Sequence, residues 1–445
     1  MNEWSGFNPQ TARWFAERYG EPTEIQHASH PAVAAGENVL ITAPTGSGKT
    51  LAAFLYAIDR LLSGAWPTAR LSVLYVSPLK ALNTDIRENL TEPLAGLGAA
   101  FPDAPTVRAM TRSGDTPQSE RRSMLRNPPD ILTTTPESLN LLLSSRGGRS
   151  ILGDVRTVIL DEVHAVAGTK RGVHLATAVE RLARLSGEFQ RIALSATVRP
   201  LEAVAHFVGA GRPVRIIESS DDKALDISVH AVQADPEAPP DSPWVPMAAE
   251  FARIVRSNRS SLFFTTNRRD AERIAMLLNE EVGEQVAYAH HGSLSREVRQ
   301  LVEAKMRAGD LSAIVATSSL ELGIDIGSID EVIFAKTPFS VTSCLQMTGR
   351  AGHQVGARSR ARMYPLLGRD CLDAVVVGRA ALERDIEPVK PVRKPLDVLA
   401  QVLLSMIAME PQHLDELFAF IRGVSSYEDL TRGEFDAVVD LLAGS

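Results

Sequence analysis

The sequence predicts an α/β protein with two consecutive parallel-sheet halves followed by a small helical module. Short apolar or β-branched runs alternate with amphipathic helical patterns in the first half. The same alternation restarts after a stretch rich in Pro and Asp at 233–246, which we interpret as an exposed connector. Beyond Pro388 the strand signal fades, and only helical patterns are left.

Strands buried on both faces of a parallel sheet are short, continuous apolar runs, and the two halves contain nine such runs in total. In the first half they are 39–42, 73–76, 131–133, 157–160 and 192–194. In the second half they are 261–265, 286–289, 313–316 and 332–335, with helices predicted at 270–280 and 295–308. A further helix follows the first run, because apolar residues recur at helical spacing from Leu51 to Leu62 before Gly64.

The last part of the chain carries helical patterns at 396–409, 414–421 and 434–442. We therefore predict three domains, 1–217, 218–388 and 389–445. A module as small as the third is marginal by itself, so we expect it to pack on the second half.

Composition excludes several classes of protein. Lys and Arg number 47 against 54 Asp and Glu, so the net charge is −7, and any nucleic-acid contact must come from a local basic patch. Cys344 and Cys371 are too few for a disulfide framework, and the N-terminus has no apolar signal-peptide core. The longest apolar run, 398–409, is shorter than the roughly 20 residues of a membrane helix. A cytoplasmic protein is the expectation.

The first predicted strand runs into APTGSGKT at 43–50, which matches a phosphate-binding loop except for Ala43 at the usual first Gly. Glycines let backbone N–H groups turn toward phosphate oxygens, and the following helix directs its positive end at them. Lys49 would reach the outer phosphates and Thr50 would ligate Mg²⁺. The alternative is a plain Gly-rich turn. The predicted ATP-binding residues of this loop are Thr45, Gly46, Ser47, Gly48, Lys49 and Thr50.

The run 157–160 leads into Asp161-Glu162-Val163-His164, at the strand end where open α/β sheets bind ligands. Asp161 would hold Mg²⁺, and Glu162 would orient or deprotonate the attacking water, as phosphoryl transfer to water requires. An exposed acidic turn is one alternative. A nuclease metal site is another, although no further acidic or His cluster in the sequence supports it.

These segments, together with Ser195-Ala196-Thr197, resemble motifs I, II and III of superfamily 2 helicases of the DExH branch. The resemblance implies two RecA-like domains and an ATP-dependent enzyme. PTEIQ at 22–26 is similar to the segment whose Gln reads adenine, which implies that Gln26 binds the nucleotide. TSSLELGID at 317–325 resembles motif V and 346–353 resembles motif VI, which adds Gly323, Asp325 and Arg350 to the implied ATP-binding residues.

Three segments resemble one family within this group of helicases. HHGSLS at 290–295, TSSLELGID and GRAGH are typical of the large helicase-related (Lhr) family. The end of the chain is similar to the start of that family's winged-helix domain. Family members continue much further, which implies a truncated chain, a natural fragment or a short relative.

Motif VI departs from the family pattern Gln-Arg-x-Gly-Arg, because Met347 occupies the first Arg position. Arg350 is therefore the evident arginine finger, and such a finger is worth roughly 10³ to 10⁵ in rate. A solvated or salt-bridged surface arginine is the alternative. Low turnover is expected if Met347 displaces a needed charge. Lys49 and Arg350 are expected to meet at one ATP, so that binding and hydrolysis close and open the two halves.

The resemblance also implies nucleic-acid contacts along the strand ends of both halves. Hydroxyls and cations are the side chains that hold phosphates, and the candidates are Lys80, Arg112, Thr135, Arg296, Thr317 and Ser318. Plain surface or turn residues are the rival interpretation. The tandem His290-His291 is not expected to bind a metal, because adjacent strand residues point to opposite faces and no Cys or His partner lies at ligand spacing.

The expected function is that of an ATP- and Mg²⁺-dependent helicase that moves on single-stranded DNA, from 3′ to 5′ by family resemblance, and unwinds duplexes or RNA:DNA hybrids in repair. The alternatives are an RNA helicase that shares every motif, or a catalytically weak DNA-binding or remodelling factor.

Overall fold

The computed structural model describes residues 4–44, 46–78, 80–101, 103–219, 224–231, 244–321, 327–352, 358–366 and 368–444. Of residues 80–85, 87, 88 and 296, only the backbone is described. The chain divides into two compact units. The first consists of Met1–Ala43, Ser47–Ser220 and Pro388–Ser445, and the second contains Asp221–Glu387.

The first unit is built on a parallel seven-stranded sheet with the order β3-β4-β2-β5-β6-β1-β7. Its strands are β1 Val39–Thr42, β2 Val73–Val76, β3 Ala109–Arg112, β4 Ile131–Thr134, β5 Thr157–Leu160, β6 Gln190–Ser195 and β7 Arg215–Glu218.

Helices cover both faces of this sheet and bury two apolar clusters against it. They are α1 Pro9–Tyr19, α2 Glu24–Ala34, α3 Lys49–Leu62, α4 Lys80–Ala100, α5 Gln118–Arg126, α6 Pro136–Leu143, α7 Arg146–Leu152, α8 His164–Ala167, α9 Lys170–Ser186 and α10 Leu201–Gly209. The predicted helix after the phosphate loop is confirmed as α3, whose C-cap Ser63 directly precedes Gly64.

The second unit repeats the architecture on a parallel six-stranded sheet with the order β10-β11-β9-β12-β13-β8. Its strands are β8 Leu225–Val229, β9 Ser261–Phe264, β10 Ala287–His290, β11 Ala313–Ala316, β12 Glu331–Phe334 and β13 Ser359–Met363. Its helices are α11 Val245–Ser257, α12 Arg268–Val282, α13 Arg296–Ala308, α14 Val341–Thr348 and α15 Gly368–Glu383, with a 3₁₀ turn at Ser318–Leu320.

The predicted connector 233–246 lies largely outside the described residues. Its last two residues were assigned wrongly, because Val245 and Pro246 already form the first turn of α11. Proline suits this position, since the N–H that it lacks has no partner in a first helical turn.

The remaining residues form α16 Leu396–Ile407, α17 Leu414–Arg422 and α18 Arg432–Ala443, with a 3₁₀ turn at Ser425–Tyr427. The expectation that this module packs on the second half was wrong, because it belongs to the first unit. Apolar residues of α16, among them Val398, Leu399 and Leu403, share one buried cluster with residues of α9 and α10. The outer faces of α9 and α10 are apolar, and the module removes them from water.

The two α/β units and the helical segment confirm the predicted fold class, two tandem RecA-like domains followed by a helical module. None of the described helices is both long and apolar enough to span a bilayer.

Candidate functional site

Three loops of the first unit meet because of the order of its strands. β6 lies between β1 and β5 and pairs in parallel with both. All three strands therefore end at the same edge of the sheet, where the phosphate loop, the Asp161-Glu162 pair and Ser195-Ala196-Thr197 follow them. Segments separated by more than a hundred residues in sequence thus form one candidate site.

The described part of the phosphate loop has the backbone geometry that its glycines permit. Gly46 and Gly48 have φ of 84° and 85°, a left-handed conformation that is strained for residues with a side chain. Lys49 opens α3 with only 8% of its surface exposed, and its Nζ donates a hydrogen bond to the Ala43 carbonyl at 3.1 Å. The Ser47 hydroxyl is buried without a hydrogen-bond partner among the described residues.

Gln26 is hydrogen-bonded to the phosphate loop from α2. Its Oε1 accepts from the backbone N–H of Thr23 at 3.0 Å, and its Nε2 donates to the Gly48 carbonyl at 3.2 Å. The Thr23 hydroxyl donates to the Ser47 carbonyl at 2.8 Å. A Cβ on Gly48 would lie 2.5 Å from Gln26 Nε2, so this glycine is required by close approach as well as by its φ.

The two acids differ in their surroundings. Asp161 is buried, and Tyr75 of β2 donates a hydrogen bond to its Oδ2. Burial, reinforced by the neighbouring Glu162 charge, raises the pKa of Asp161 to about 7, although the Tyr75 hydroxyl and Lys49 oppose the shift. Glu162 has a φ of 46°, and its backbone N–H donates to Asp161 Oδ1 at 2.9 Å. Such a conformation in a residue other than glycine stores strain of about 1–3 kcal/mol and is typical of functional sites.

His164 connects the acidic pair to the segment after β6. Its Nδ1 accepts a hydrogen bond from the Ala196 backbone N–H at 3.2 Å, so this nitrogen carries no proton and the ring is neutral with its hydrogen on Nε2. Burial, with a smaller effect of Lys49, lowers the pKa of His164 to about 4, in agreement with a neutral ring.

Since Nδ1 of His164 carries no proton, this ring does not donate a hydrogen bond to the Glu162 carboxylate from Nδ1. The distance from Glu162 Oε2 to His164 Nδ1 is 3.5 Å, but a neutral ring with an unprotonated Nδ1 makes no ion pair there. Glu162 Oε2 is buried without a hydrogen-bond donor among the described residues. This oxygen can therefore accept a further hydrogen bond, next to the Asp161 carboxylate.

In the second unit, Arg350 follows α14 and is only 2% exposed. Its Nη2 donates to the Glu321 carbonyl at 2.9 Å. Burial raises the pKa of Glu321, opposed by hydrogen bonding from Ser343 and by the Arg350 charge. Met347 is buried too, and it lines a cavity of about 100 Å³ with Ser318 and Glu321.

The predicted nucleic-acid contacts with described side chains lie at or just after the ends of strands, and their environments differ. Arg112 ends β3 half-buried, and its pKa is lowered by burial and by the nearby Arg121. Thr135 is buried and caps α6, where its hydroxyl accepts from the Ser138 N–H at 3.3 Å. Thr317 precedes the 3₁₀ turn, and Ser318 opens that turn with an exposed side chain. The Thr135 hydroxyl is thus used to cap α6, whereas the Ser318 side chain is accessible to a ligand.

His290 and His291 contact different carboxylates. His290 lies within 2.9 Å of the Ser319 hydroxyl and 3.0 Å of Glu303, while His291 Nε2 lies 3.1 Å from Glu272. Several other predicted residues cannot be placed in this way. Thr45, Gly323 and Asp325 lie outside the described residues, and the side chains of Lys80 and Arg296 are not described.

Sequence reasoning did not single out Tyr75, and it named Thr23 and His164 only as members of motifs, without a role in the site. A phenol within the otherwise aliphatic run VLYV was the available signal for Tyr75. Thr23 was visible as the first residue of a capping box that ends at Gln26.

Comparison with known families agrees with this arrangement. The DEAD/DEAH box helicase profile matches residues 23–204, and the helicase conserved C-terminal domain profile matches 248–354. The winged-helix domain profile of large helicase-related proteins matches residues 379–445. Together, the fold and the loops around Lys49 and Asp161 define a two-domain core of the DEAD/DEAH helicase class.

Comparison with individual proteins identifies one family within this class of helicases. The chain is 43% identical to the Lhr helicase/probable uracil glycosylase of Mycolicibacterium smegmatis, over 98% of this chain and 32% of that protein. It is 39% identical to the ATP-dependent helicase Lhr-Core of Sulfolobus acidocaldarius, over 99% of this chain and 52% of the relative. The solved structure of Mycobacterium smegmatis helicase Lhr bound to single-stranded DNA and AMP-PNP superposes with a TM-score of 0.92 at 44% identity, covering 99% of this chain and 58% of that chain.

The chain belongs to the large helicase-related (Lhr) family of superfamily 2 helicases. It spans about a third to a half of the length of these curated relatives. The DUF1998 helicase MrfA bound to DNA and AMPPNP has a TM-score of 0.77 at 23% identity, a likeness of fold alone.

Proposed function

We propose that this protein is an ATP-dependent helicase that moves along single-stranded DNA from 3′ to 5′ and unwinds duplexes or RNA:DNA hybrids in DNA repair. The observation that supports it best is the joint position of Lys49, Asp161 and Glu162 at one sheet edge. The chain that carries them is 44% identical to a helicase solved with single-stranded DNA and AMP-PNP.

The residues at this edge fit a magnesium nucleotide. Gly46 and Gly48 hold the loop in left-handed backbone conformations, and Lys49 offers a buried cation. The Ser47 hydroxyl and Glu162 Oε2 are buried without hydrogen-bond partners among the described residues. Thr50 and Asp161 would hold Mg²⁺, which would neutralise charge on the phosphates when bound. A nearby cation would also favour the ionised form of the Asp161 carboxylate.

Each side chain has a proposed task in hydrolysis. Lys49 binds the outer phosphates. Gln26 stabilises the loop through its hydrogen bond to Gly48, and the second hydrogen of its amide donates to the adenine of the nucleotide. Glu162 orients the attacking water and accepts its proton. Arg350 acts as the arginine finger, since its hydrogen bond to the Glu321 carbonyl uses only one of the five guanidinium N–H groups. The meeting of Lys49 and Arg350 at one nucleotide stays a prediction, as do the domain limits 1–217, 218–388 and 389–445.

Nucleic acid is proposed to contact the loops that follow the strands, by way of phosphates and sugars. Arg112 and Ser318 are the best-supported of the six candidates, since Arg112 is a half-buried cation and Ser318 is exposed. The other four candidates are Thr317, Thr135, Lys80 and Arg296, and all six contacts stay predictions.

A catalytically weak binding or remodelling factor is the second candidate. Met347 replaces an expected arginine, and Arg350 is buried against Glu321. Both features reduce the positive charge that can stabilise the negative charge developing on the γ-phosphate during hydrolysis.

One experiment tests catalysis and substrate together: ATP turnover of the purified chain with no polymer, with single-stranded DNA and with single-stranded RNA. We expect turnover to rise with DNA, and Glu162→Gln to abolish turnover while it leaves ATP affinity nearly unchanged. The expected loss is large, because a misplaced water removes the nucleophile rather than a binding contact.

Unchanged turnover in Glu162→Gln would refute the assigned role of this residue. Binding of DNA without stimulated turnover would favour the remodelling factor, and stronger stimulation by RNA would favour the RNA helicase. Strand displacement on substrates with 3′ or 5′ tails, including hybrids, then tests direction and preference.

A further inference from the structure

A pocket of about 150 Å³ lies in the first unit, between the sheet domain and the C-terminal helical module. Arg149 of α7 and Arg181 and Arg184 of α9 line it from the sheet domain. Met406, Glu410 and Gln412, at the end of α16 and in the following loop, line it from the module. None of these residues belongs to the candidate nucleotide site.

The pocket holds more positive than negative charge. Among the described residues, Glu410 is the only acid in its lining, and it pairs with Arg149 at 3.0 Å. Arg184 has no acidic partner in the part of the chain that the structure describes, and it lies over the Phe420 ring. Arg181 is only 7% exposed, and burial, together with the Arg149 charge, lowers its pKa to about 10. Within the described ranges, two of the three arginines therefore lack a counter-charge.

A purely structural role explains Arg181 incompletely. Its Nη1 donates to Asn140 Oδ1 at 3.3 Å and its Nη2 to the Leu143 carbonyl at 3.5 Å, so it contacts the C-terminal end of α6. Both distances are long for charge-assisted hydrogen bonds, and they use two of five N–H groups. A buried cation without a counter-charge is unfavourable, whereas a bound anion would remove that penalty.

Gln412 provides a second, independent observation. Its Oε1 is buried without a hydrogen-bond partner among the described residues. The oxygen and nitrogen of an amide occupy nearly equivalent positions, so rotation of this group would replace the unpartnered acceptor by a donor. A donor at this position suits a ligand made only of acceptor oxygens.

We propose that this pocket binds a phosphate-type anion, which holds the C-terminal helical module on the first sheet domain. Arg149, Arg181 and Arg184 supply charge and donors from one side, and Gln412 supplies an amide donor from the other. The volume fits one small group, since pockets for drug-sized ligands measure about 300–1,000 Å³. The anion is either free phosphate or a backbone phosphate of nucleic acid, and both present the same oxygens.

The test is calorimetric titration of the full chain with inorganic phosphate, without nucleotide or nucleic acid, at ionic strength matched with chloride. Arg181→Met and Arg184→Gln should each weaken phosphate binding by about tenfold or more, the effect of one charge-assisted hydrogen bond. Arg70→Gln removes the same charge at a half-exposed site outside the pocket and should leave the affinity unchanged. Phosphate should also slow amide hydrogen exchange at the end of α16.

The phosphate loop is the competing site, so Lys49→Ala is the decisive control. Binding that persists in Lys49→Ala and weakens in Arg184→Gln supports the pocket, and Arg184 is exposed enough for its substitution to be tolerated in folding. Binding lost in Lys49→Ala and unchanged in the arginine variants overturns the proposal, as does the absence of any phosphate-specific heat. Displacement of phosphate by a single-stranded oligonucleotide identifies a backbone phosphate as the ligand, and retention identifies free phosphate. The outcome does not depend on helicase activity.

Discussion

At the scale of the residue, Gly48 shows how one position serves two constraints. Its φ of 85° favours glycine, and its Cα lies so close to Gln26 that a methyl group would displace the amide. The motif predicts the glycine for its backbone freedom alone. The second constraint comes from α2, which is more than twenty residues away in sequence.

We predict that Gly48→Ala destabilises the protein by about 1–2 kcal/mol more than Gly36→Ala, and that it also weakens nucleotide binding. Gly36 is the matched control, since its φ is 77° but nothing lies within 4 Å of an added Cβ. Both variants carry the strain of a left-handed alanine, but only Gly48→Ala must move Gln26 away from its hydrogen bonds. Urea unfolding measures the difference, and equal losses in the two variants would contradict it.

At the scale of the element, the strands that sequence reasoning found lie inside the two sheets, with the exception of the edge strand β10. The five strands predicted in the first half and the four in the second are all present, with ends shifted by at most two residues. β3, β7, β8 and β13 were not predicted. Three of them are edge strands, and β13 alternates buried and exposed residues in SRARM. A strand with a solvent-exposed face or edge needs no continuous apolar run, so the hydrophobicity pattern of its sequence resembles that of a loop.

Helix α18 offers an element whose stability should depend on pH. Glu434 completes a capping box with Thr431 and pairs with Lys394 at 2.7 Å. Hydrogen bonding from Lys394, and then from the Thr431 backbone, lowers the pKa of Glu434 from 4.5 to about 2. Because the folded pKa lies below the unfolded one, this contribution to stability is full above pH 4.5 and is lost as pH falls toward 2.

We therefore predict that Glu434→Gln lowers the free energy of unfolding at pH 7, and that the difference from the unsubstituted protein shrinks as pH falls from 4.5 toward 2. Chemical denaturation across this range measures it. Lys394→Met is the control, because it removes the largest cause of the shift and should flatten the pH dependence. A difference that is constant with pH would show that the Glu434 charge contributes nothing.

At the scale of the whole molecule, the C-terminal module illustrates why order along the chain misleads. It follows the second unit in sequence but packs on the first, with Ser425 donating to the Phe207 carbonyl at 3.3 Å and Val389 donating to the Arg199 carbonyl at 2.7 Å. The prediction failed because a small apolar module packs on whichever apolar face is left uncovered, and local pattern does not say which face that is.

The overall charge leads to a prediction about nucleic-acid binding. The net charge of −7 opposes a polyanion, so affinity must come from local cations such as Arg112 that release counterions. We expect the logarithm of the affinity for single-stranded DNA to fall linearly with the logarithm of salt concentration, by about 0.7 per phosphate neutralised. Fluorescence anisotropy over a salt series measures the slope. Arg112→Gln should reduce it by about 0.7, whereas Arg70→Gln should not, and an affinity independent of salt would exclude phosphate contacts.

The sequence by itself determined the elements that depend on neighbouring residues: the strands with continuous apolar runs, the glycine-rich turn before α3, and the acids that follow β5. Only the tertiary structure decided which of these meet. The insertion of β6 between β1 and β5, the hydrogen bond from Tyr75 to Asp161, and the docking of α16 on α9 all join residues far apart in the chain. The reason is physical: periodicity reports whether a side chain will be buried, but its partner is set by strand order and by which apolar surfaces remain to be covered.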